Sequence, residues 1–295
     1  MADRSGIPRL QPWGAVKIAA LQMVSTPDVG RNLDAARRWI ADAADSGAGL
    51  VALPEYFCLI GHRDGDKLAI AEADGDGPIQ RMLADAAREH GVWVIGGTLP
   101  IVAASDRERV RTACCVYAPD GRRAARYDKM HLFRFDDGRE SYDEGRVLQA
   151  GDETVAFDLP VAAGDGDGSA ARTLRVGLSV CYDLRFPELY RRLGEGAPCD
   201  LIAVPSAFTH TTGRAHWELL LRARAVENQC YVIAPAQGGL HDNGRRTWGH
   251  SLIADPWGEV LACVDEGEGI AAAEIDLARL DAVRRQLPAL GHRRL

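Results

Sequence analysis

Three residues whose types suit the hydrolysis of an amide each follow a strand-like run: Glu55, Lys129 and Cys181. A thiolate attacks carbonyl carbons, and a nearby cation lowers the pKa of a thiol. Lys129 can supply that cation and hold the oxyanion of a tetrahedral intermediate. Glu55 can take the thiol proton, deliver it to the leaving amine and then activate water against the thioester. The set suits acyl transfer from an amide to water, a reaction that needs no metal.

The elements that carry these residues are those that position chemistry in α/β sheets. The apolar run 174–180 predicts a buried strand before Cys181, and Pro187 is expected to open the following helix. Open α/β sheets bind their ligands at such strand ends. The backbone N–H of Tyr182, directly after the thiol, is a candidate oxyanion donor. Each residue type also has an ordinary structural role, and the wide separations along the chain do not by themselves bring the three together.

Strand-like and helix-like stretches alternate along both halves of the chain. Residues 92–99 predict one continuous strand, and residues 200–206 echo residues 49–55. This alternation predicts mixed sheets with helices on their outer faces, and the echo suggests a duplicated α/β unit. We expect a single domain over residues 15–295, preceded by an extension at residues 1–14.

The composition disfavours several classes of partner. The 295 residues are 46% hydrophobic and 26% charged, with a formal net charge of −7, which disfavours nucleic acid and anionic membranes. No run is long and apolar enough to span a bilayer, and the first residues lack the apolar stretch of a secretory signal. The seven cysteines, an odd number without a CxxC pair, are typical of a reducing compartment. We therefore expect a cytoplasmic protein that acts on a small molecule.

Three local strings resemble the signature segments of the nitrilase (carbon–nitrogen hydrolase) superfamily, and they occur in that family's order. The resemblance implies an α/β fold, the four-layer α-β-β-α sandwich of the nitrilase type, with a Glu–Lys–Cys triad and no cofactor. It also implies a homodimer or a larger homo-oligomer. The strings are residues 53–57, 127–133 and 180–190.

On the matching positions the implied triad is Glu55, Lys129 and Cys181. Many members of the superfamily carry a second glutamate after the lysine segment, in a Glu-Ser pair, and that position here is Glu140. It would orient the lysine or the substrate nitrogen. The loop before it lacks the Pro-Gly of the family pattern, and Glu144 is the alternative for the same role.

Later segments resemble the deaminated-glutathione amidase branch of the superfamily. This implies cleavage of deaminated glutathione to α-ketoglutarate and cysteinylglycine. An acidic substrate needs cations or other donors despite the negative net charge, and the candidates for its contacts are Arg185, Thr209 and His131. The segments that carry the resemblance are residues 205–209, 215–218, 221–231 and 248–258.

Other functions compete with this hypothesis. ω-Amidases acting on α-ketoglutaramate, and hydrolases of N-carbamoyl amino acids or nitriles, use the same triad, and rates on a substrate panel separate them. A redox-sensing scaffold is the non-enzymatic alternative, and it would oxidise its thiol reversibly without amide turnover. A serine hydrolase built on Ser179 is disfavoured because residues 177–181 end in Cys. The eight histidines show no HExxH or comparable ligand spacing, so no metal site is expected.

Overall fold

Two β-sheets form the centre of the structure, and helices cover their outer faces. The structure is a computed structural model that describes residues 15–103, 106–136, 138, 141–161 and 172–294. The expected N-terminal extension, residues 1–14, lies outside the described residues. Within the described part, no helix combines the length and the apolar character that crossing a bilayer requires.

Strands and helices are numbered in chain order. The strands are β1 (Ala15–Gln22), β2 (Leu50–Ala52), β3 (Trp93–Ile95), β4 (Leu99–Ala103), β5 (Asp106–Tyr117), β6 (Arg123–Asp128), β7 (Arg134–Asp136), β8 (Ser141–Asp143), β9 (Ala156–Val161), β10 (Arg172–Leu178), β11 (Leu201–Ala203), β12 (Tyr231–Ala234), β13 (Gly238–Leu240), β14 (Arg246–Trp248), β15 (Leu252–Ala254), β16 (Val260–Cys263) and β17 (Gly269–Asp276). The α-helices are α1 (Val29–Asp45), α2 (Asp66–Ala69), α3 (Pro78–His90), α4 (Pro187–Leu193), α5 (His210–Asn228) and α6 (Leu277–Gln286).

Each large sheet is built around three parallel strands. The first has the order β17-β1-β2-β3-β5-β4, with β6 also paired to β5, and β1, β2 and β3 are parallel. The second has the order β16-β15-β12-β11-β10-β9, and β10, β11 and β12 are parallel. The echo between residues 49–55 and 200–206 thus has a structural counterpart, because β2 and β11 are the middle parallel strands of the two sheets.

Strand β1 shows how the layers are held together. Ile18 and Ala20 pack with strands of the second sheet in one core cluster, whereas Ala19 and Leu21 pack with α1 and α3 in another. A strand buried on both faces carries apolar residues without alternation, which accounts for the continuous apolar runs of the sequence. On the far side, Trp217 of α5 joins the cluster of the second sheet. The layers therefore run helix, sheet, sheet, helix, as expected from the sequence.

The predicted strand over residues 92–99 is divided in two by a glycine pair. Gly97 has φ +54°, and a Cβ atom at this position would lie 2.1 Å from the carbonyl oxygen of Pro54. Only glycine fits both the left-handed backbone and this close approach. The expectation of one continuous strand is wrong, and the break between β3 and β4 lets the segment that ends in Glu55 pass directly alongside.

His241 is a buried histidine that joins the two halves of the fold. Its Nδ1 donates to the carbonyl oxygen of Ser25 at 2.9 Å, and its Nε2 accepts from the hydroxyl of Thr247 at 2.8 Å. These partners suit the neutral ring. Burial is the main reason that the pKa of His241 is lowered to about 4.

We expect this histidine to make the protein less stable in mild acid. The unfolded chain, in which the pKa of His241 is near 6.5, binds a proton more readily than the folded chain, so the free energy of unfolding falls as the pH drops from 6.5 to about 4. The loss is about 3 kcal/mol at full protonation. Urea unfolding at several pH values measures it, and His241→Gln should flatten this slope. The exposed His292→Gln should leave the slope unchanged.

Candidate active site

The three residues singled out in the sequence are brought to one end of the two sheets. Glu55 follows β2, Lys129 follows β6 of the same sheet, and Cys181 follows β10 of the other sheet. The Nζ atom of Lys129 lies 2.8 Å from Oε1 of Glu55, and both side chains are almost fully buried. All three residues are thus positioned by the main sheets, and the site lies where the sheets meet.

The side chain of Glu144 is a second carboxylate that contacts Lys129. It follows β8, and its two oxygens lie 3.1 and 2.8 Å from Nζ of Lys129. The hydroxyl of Tyr56 donates to Oε1 at 2.7 Å, and the backbone N–H of Phe133 donates to Oε2 at 2.7 Å. Glu144, the alternative to Glu140 in the sequence, therefore lies where it can orient Lys129. Glu140 itself lies outside the described residues.

Electrostatics give the two carboxylates different protonation behaviour. Burial raises the pKa of Glu55, and the neighbouring Glu144 raises it further, although Lys129 opposes this. Burial also disfavours the charged form of Glu144, but Lys129 and hydrogen bonds hold its pKa below the ordinary value. For Lys129, burial is outweighed by the two carboxylates, and its pKa lies well above the usual range. The lysine and Glu144 form a fixed ion pair, while Glu55 is the group poised to exchange a proton.

Cys181 opens a 3-10 turn in a strained backbone conformation. Its φ of +50° lies in the left-handed region that non-glycine residues seldom adopt. Its N–H donates to the carbonyl oxygen of Pro205 at 2.9 Å, so the end of the neighbouring strand segment holds the turn in place. Strain of this kind costs about 1–3 kcal/mol and persists only where the surroundings enforce it. The next N–H, that of Tyr182, lies in the first turn of a helix and has no partner within that turn.

The charge state of the thiol differs from the expectation. Lys129 does lower the pKa of Cys181, but burial and the nearby Glu55 outweigh it, and the pKa lies well above the ordinary value. The resting thiol is therefore protonated. Cys181 and Glu55 line the same cavity, and a hydrogen bond with the thiol is one of the influences that lower the pKa of Glu55. A base must remove the proton during the reaction, and Glu55 stands next to it.

A buried aspartate anchors the turn from behind. Asp183 accepts hydrogen bonds from the N–H of Val180 at 2.8 Å and from the hydroxyl of Tyr127 at 2.7 Å. It also binds the backbone N–H and Nδ1 of His131, at 3.0 and 2.7 Å. His131 stacks on Phe186 and does not line the cavity at Cys181. The structure therefore does not bring His131 into this cavity, and its Nδ1 is held by Asp183; the predicted substrate contact stays a prediction.

Asp183→Asn is expected to lower both stability and turnover. The amide would turn an N–H group towards donors that now face a carboxylate, so the free energy of unfolding should fall by about 2–4 kcal/mol. The turn would then hold Cys181 less firmly and kcat should fall. Urea denaturation and steady-state kinetics measure the two effects. The exposed Asp158→Asn is the matched control, and equal behaviour of the two variants would contradict the anchoring role.

A narrow cavity opens above the thiol. Arg185 lies over the rings of Tyr182 and Phe208, at 5.7 and 5.3 Å, and its Nη1 is 3.2 Å from Nδ1 of His216. Thr209 caps α5 by accepting from the N–H of Thr212, so its hydroxyl already has a structural partner. The cavity is lined by Glu55, Phe133, Glu144, Cys181, Tyr182, Arg185, Ala207, Phe208, Thr209, Thr212 and Arg245.

Sequence reasoning missed Arg245 as a residue of this cavity. It lies in the turn between β13 and β14, and its Nη2 donates to the carbonyl oxygen of Ala207 at 3.2 Å. Asn243 and Gly244 signal a turn at this point. Nothing in the turn itself shows which part of the molecule it reaches, so no local signal identifies the arginine as a site residue.

The chain is similar to known proteins along almost its whole length. The family model described as carbon-nitrogen hydrolase matches residues 17–285. A deaminated glutathione amidase of Synechocystis sp. (strain PCC 6803 / GT-S) is 43% identical over 278 residues, which are 93% of this chain and 97% of that protein. Human omega-amidase NIT2 is 36% identical over 280 residues, which are 94% and 95% of the two chains. The crystal structure of Saccharomyces cerevisiae Nit3, described as a member of branch 10 of the nitrilase superfamily, matches with TM-score 0.79 and 28% identity over 93% of this chain and 94% of that chain.

Proposed function

The chain belongs to the carbon–nitrogen hydrolase family and is an amidase, and on that premise we propose that it cleaves its substrate through a thioester on Cys181. The observation that carries the proposal is the contact of one buried ammonium with two carboxylates beside a buried thiol. Nζ of Lys129 lies 2.8 Å from both Glu55 and Glu144, and Glu55 and Cys181 line the same cavity.

Acylation begins with proton transfer from the thiol to Glu55. The thiolate of Cys181 attacks the amide carbon, and the carbonyl oxygen becomes an oxyanion. The N–H of Tyr182 and one N–H of the Lys129 ammonium stabilise that charge. As the carbon–nitrogen bond breaks, Glu55 gives its proton to the leaving amine, and the thioester remains.

Deacylation uses the same groups in reverse. Water enters the place that the amine has left, and Glu55 takes its proton while the water oxygen attacks the thioester carbon. The second tetrahedral intermediate collapses, the acid is released, and the proton returns from Glu55 to the sulfur of Cys181. The raised pKa of Glu55 suits both directions of transfer, because it lies closer to the working pH than that of an exposed glutamate.

Deaminated glutathione is the substrate that we propose. This rests on the name of the similar Synechocystis protein and on the guanidinium of Arg185, which lines the cavity and can hold a carboxylate of the acyl group. The second candidate is α-ketoglutaramate, favoured by the similarity to human omega-amidase. The two substrates share the acyl group and differ in the amine that leaves.

A substrate panel tests the proposal. Purified protein is given deaminated glutathione, α-ketoglutaramate, an N-carbamoyl amino acid and a nitrile, and release of cysteinylglycine or ammonia is followed. We expect kcat/KM to be highest for deaminated glutathione. A higher value for α-ketoglutaramate would favour the second candidate, and a ureido or nitrile substrate that exceeds both would overturn the substrate proposal.

The location and the assembly are part of the same proposal. A thiol that acts as nucleophile must stay reduced, which a cytoplasmic location supports. A homodimer or a larger homo-oligomer is supported by large apolar side chains at the surface. Those on and near α5 are Leu219, Val226, Trp257 and Leu261.

A further inference from the structure

A second cavity adjoins the one at Cys181, and Arg245 lines both. The space above the thiol is only about 10 Å³, which is room for about one water. The second cavity is about 290 Å³ and opens next to Tyr56, the residue that holds Glu144. Ammonia, the leaving group of a primary amide, is about as large as one water, whereas a dipeptide leaving group needs more room than the first space offers and fits the size of the second cavity.

Arg245 has hydrogen-bonding capacity that the described residues leave unused. Its Nε is buried without a partner, while its guanidinium lies 5.1 Å from the ring centroid of Tyr142. A buried and unsatisfied N–H of a cation is costly unless a ligand completes it. Guanidinium groups bind carboxylates through two parallel N–H donors, so the chemistry that fits this atom is a carboxylate.

Lys67 places a second cation in the wall of the same cavity. Its Nζ lies 4.4 Å from the ring centroid of Tyr56 and 3.7 Å from Oδ1 of Asp64. Burial lowers the pKa of Lys67, the carboxylates of Glu144 and Asp64 raise it, and the positive charge of Arg245 lowers it; the net direction is a lowered pKa. Asp64 is largely exposed and compensates only in part. An anion bound between Lys67 and Arg245 would offset the cost of burying the charged lysine. It would also offset the repulsion between the two positive charges.

The geometry points to this second cavity as the binding site for the leaving-group end of the substrate, with Arg245 and Lys67 holding a carboxylate there. The inference rests on the proposed function. Tyr56 lines this cavity and donates to Glu144, and it directly follows Glu55, which must give its proton to the leaving amine. Arg185 lines the cavity at Cys181 but not the second cavity, lies over the ring of Tyr182, and takes the carboxylate of the acyl group. In deaminated glutathione the leaving group is cysteinylglycine, which ends in a carboxylate.

Matched substrates test this assignment. α-Ketoglutaramate has the same acyl group and leaves as ammonia, and the C-terminal amide of deaminated glutathione keeps the size of the leaving group without its charge. Arg245→Gln is expected to lower the ratio of kcat/KM for deaminated glutathione over α-ketoglutaramate by about 10- to 100-fold, the worth of a hydrogen bond to a charged group. Lys67→Met should lower the same ratio. The C-terminal amide should be a poor substrate of the wild-type protein, and Arg245→Gln should not make it poorer.

Two further variants act as controls. Arg246→Gln removes the neighbouring arginine, which pairs with Glu266 at the surface, and should leave the ratio unchanged. Arg185→Gln should lower kcat/KM for both substrates by a similar factor, because the two substrates share the acyl group. Equal losses on both substrates in Arg245→Gln, or a selective loss in Arg185→Gln, would overturn the inference while the proposed function stands. A wild-type protein that cleaves α-ketoglutaramate and not deaminated glutathione would overturn the substrate proposal and the inference together.

Discussion

Cys181→Ala is expected to lower kcat by roughly 10⁴-fold or more while the protein stays folded. The thiol is the only sulfur among the described residues that line the cavity, and no thioester forms without it. The hydroxyls of Thr209 and Thr212 are hydrogen-bonded to each other and are not expected to replace the thiol as nucleophile. Steady-state amide hydrolysis measures the loss, and rapid quench with mass spectrometry should find the acyl adduct on the wild-type protein alone.

The matched control is Cys263→Ala. Cys263 is exposed and lies outside the cavity, so kcat and the acyl adduct should both be unchanged. Thermal unfolding of the two variants should stay close to that of the wild-type protein, because neither change leaves a large void. A Cys181→Ala protein with wild-type kcat would remove the proposed nucleophile, and an acyl adduct on another residue would reassign it.

Much of the fold could be predicted because both faces of the central strands are buried. The run that precedes Glu55 is apolar throughout, and Arg175 and Ser179 are the polar residues of the run that precedes Cys181. Such patterns are typical of strands between two packed layers or of buried helices. Pro187 opens α4 as its fixed φ and missing N–H predict. The break at Gly97 could not be predicted, since it depends on the close approach of Pro54, a residue distant in sequence.

The supporting residues of the site were harder to predict than the proposed triad. Glu55, Lys129 and Cys181 each follow a strand of a large sheet, so the fold itself positions them. Glu144 follows the small hairpin of β7 and β8, and Arg245 lies in the turn of another hairpin. Tertiary contacts determine where a hairpin outside the main sheets lies. The local sequence of its loop therefore does not show which residues the loop contacts in the folded protein.

The charge state of Cys181 could not be predicted from the neighbours alone. The sequence supplies a lysine, whose charge lowers the pKa of the thiol, but it does not give the degree of burial. In the structure burial is the largest influence, and the carboxylate of Glu55 acts in the same direction. This balance agrees with the proposed role of Glu55 as the base that takes the thiol proton, and the burial on which the balance depends is seen only in three dimensions.

Glu144→Gln is expected to lower kcat by roughly 10²- to 10³-fold, the range for the loss of a positioned charged group. Glutamine has nearly the same shape, and its one oxygen can accept from the N–H of Phe133 while its amide group donates to the hydroxyl oxygen of Tyr56, so the fold should survive. The ion pair between Glu144 and Lys129 would be lost. The ammonium would then contact Glu55 and the oxyanion, and no second carboxylate would fix its position. KM should change much less than kcat, since Glu144 acts on the lysine and not on the acyl group.

The pH profile distinguishes this role of Glu144 from a purely structural one. Glu55 must be ionised to accept the thiol proton, so activity falls as the pH drops through its raised pKa. The negative charge of Glu144 is one of the causes of that raised pKa. Glu144→Gln removes the repulsion, and the acidic limb of kcat/KM should therefore move to lower pH. The exposed Glu153→Gln should leave both kcat and the limb unchanged. A Glu144→Gln protein with a reduced kcat but an unmoved acidic limb would mean that the residue only shapes the site and that Glu55 does not respond to its charge.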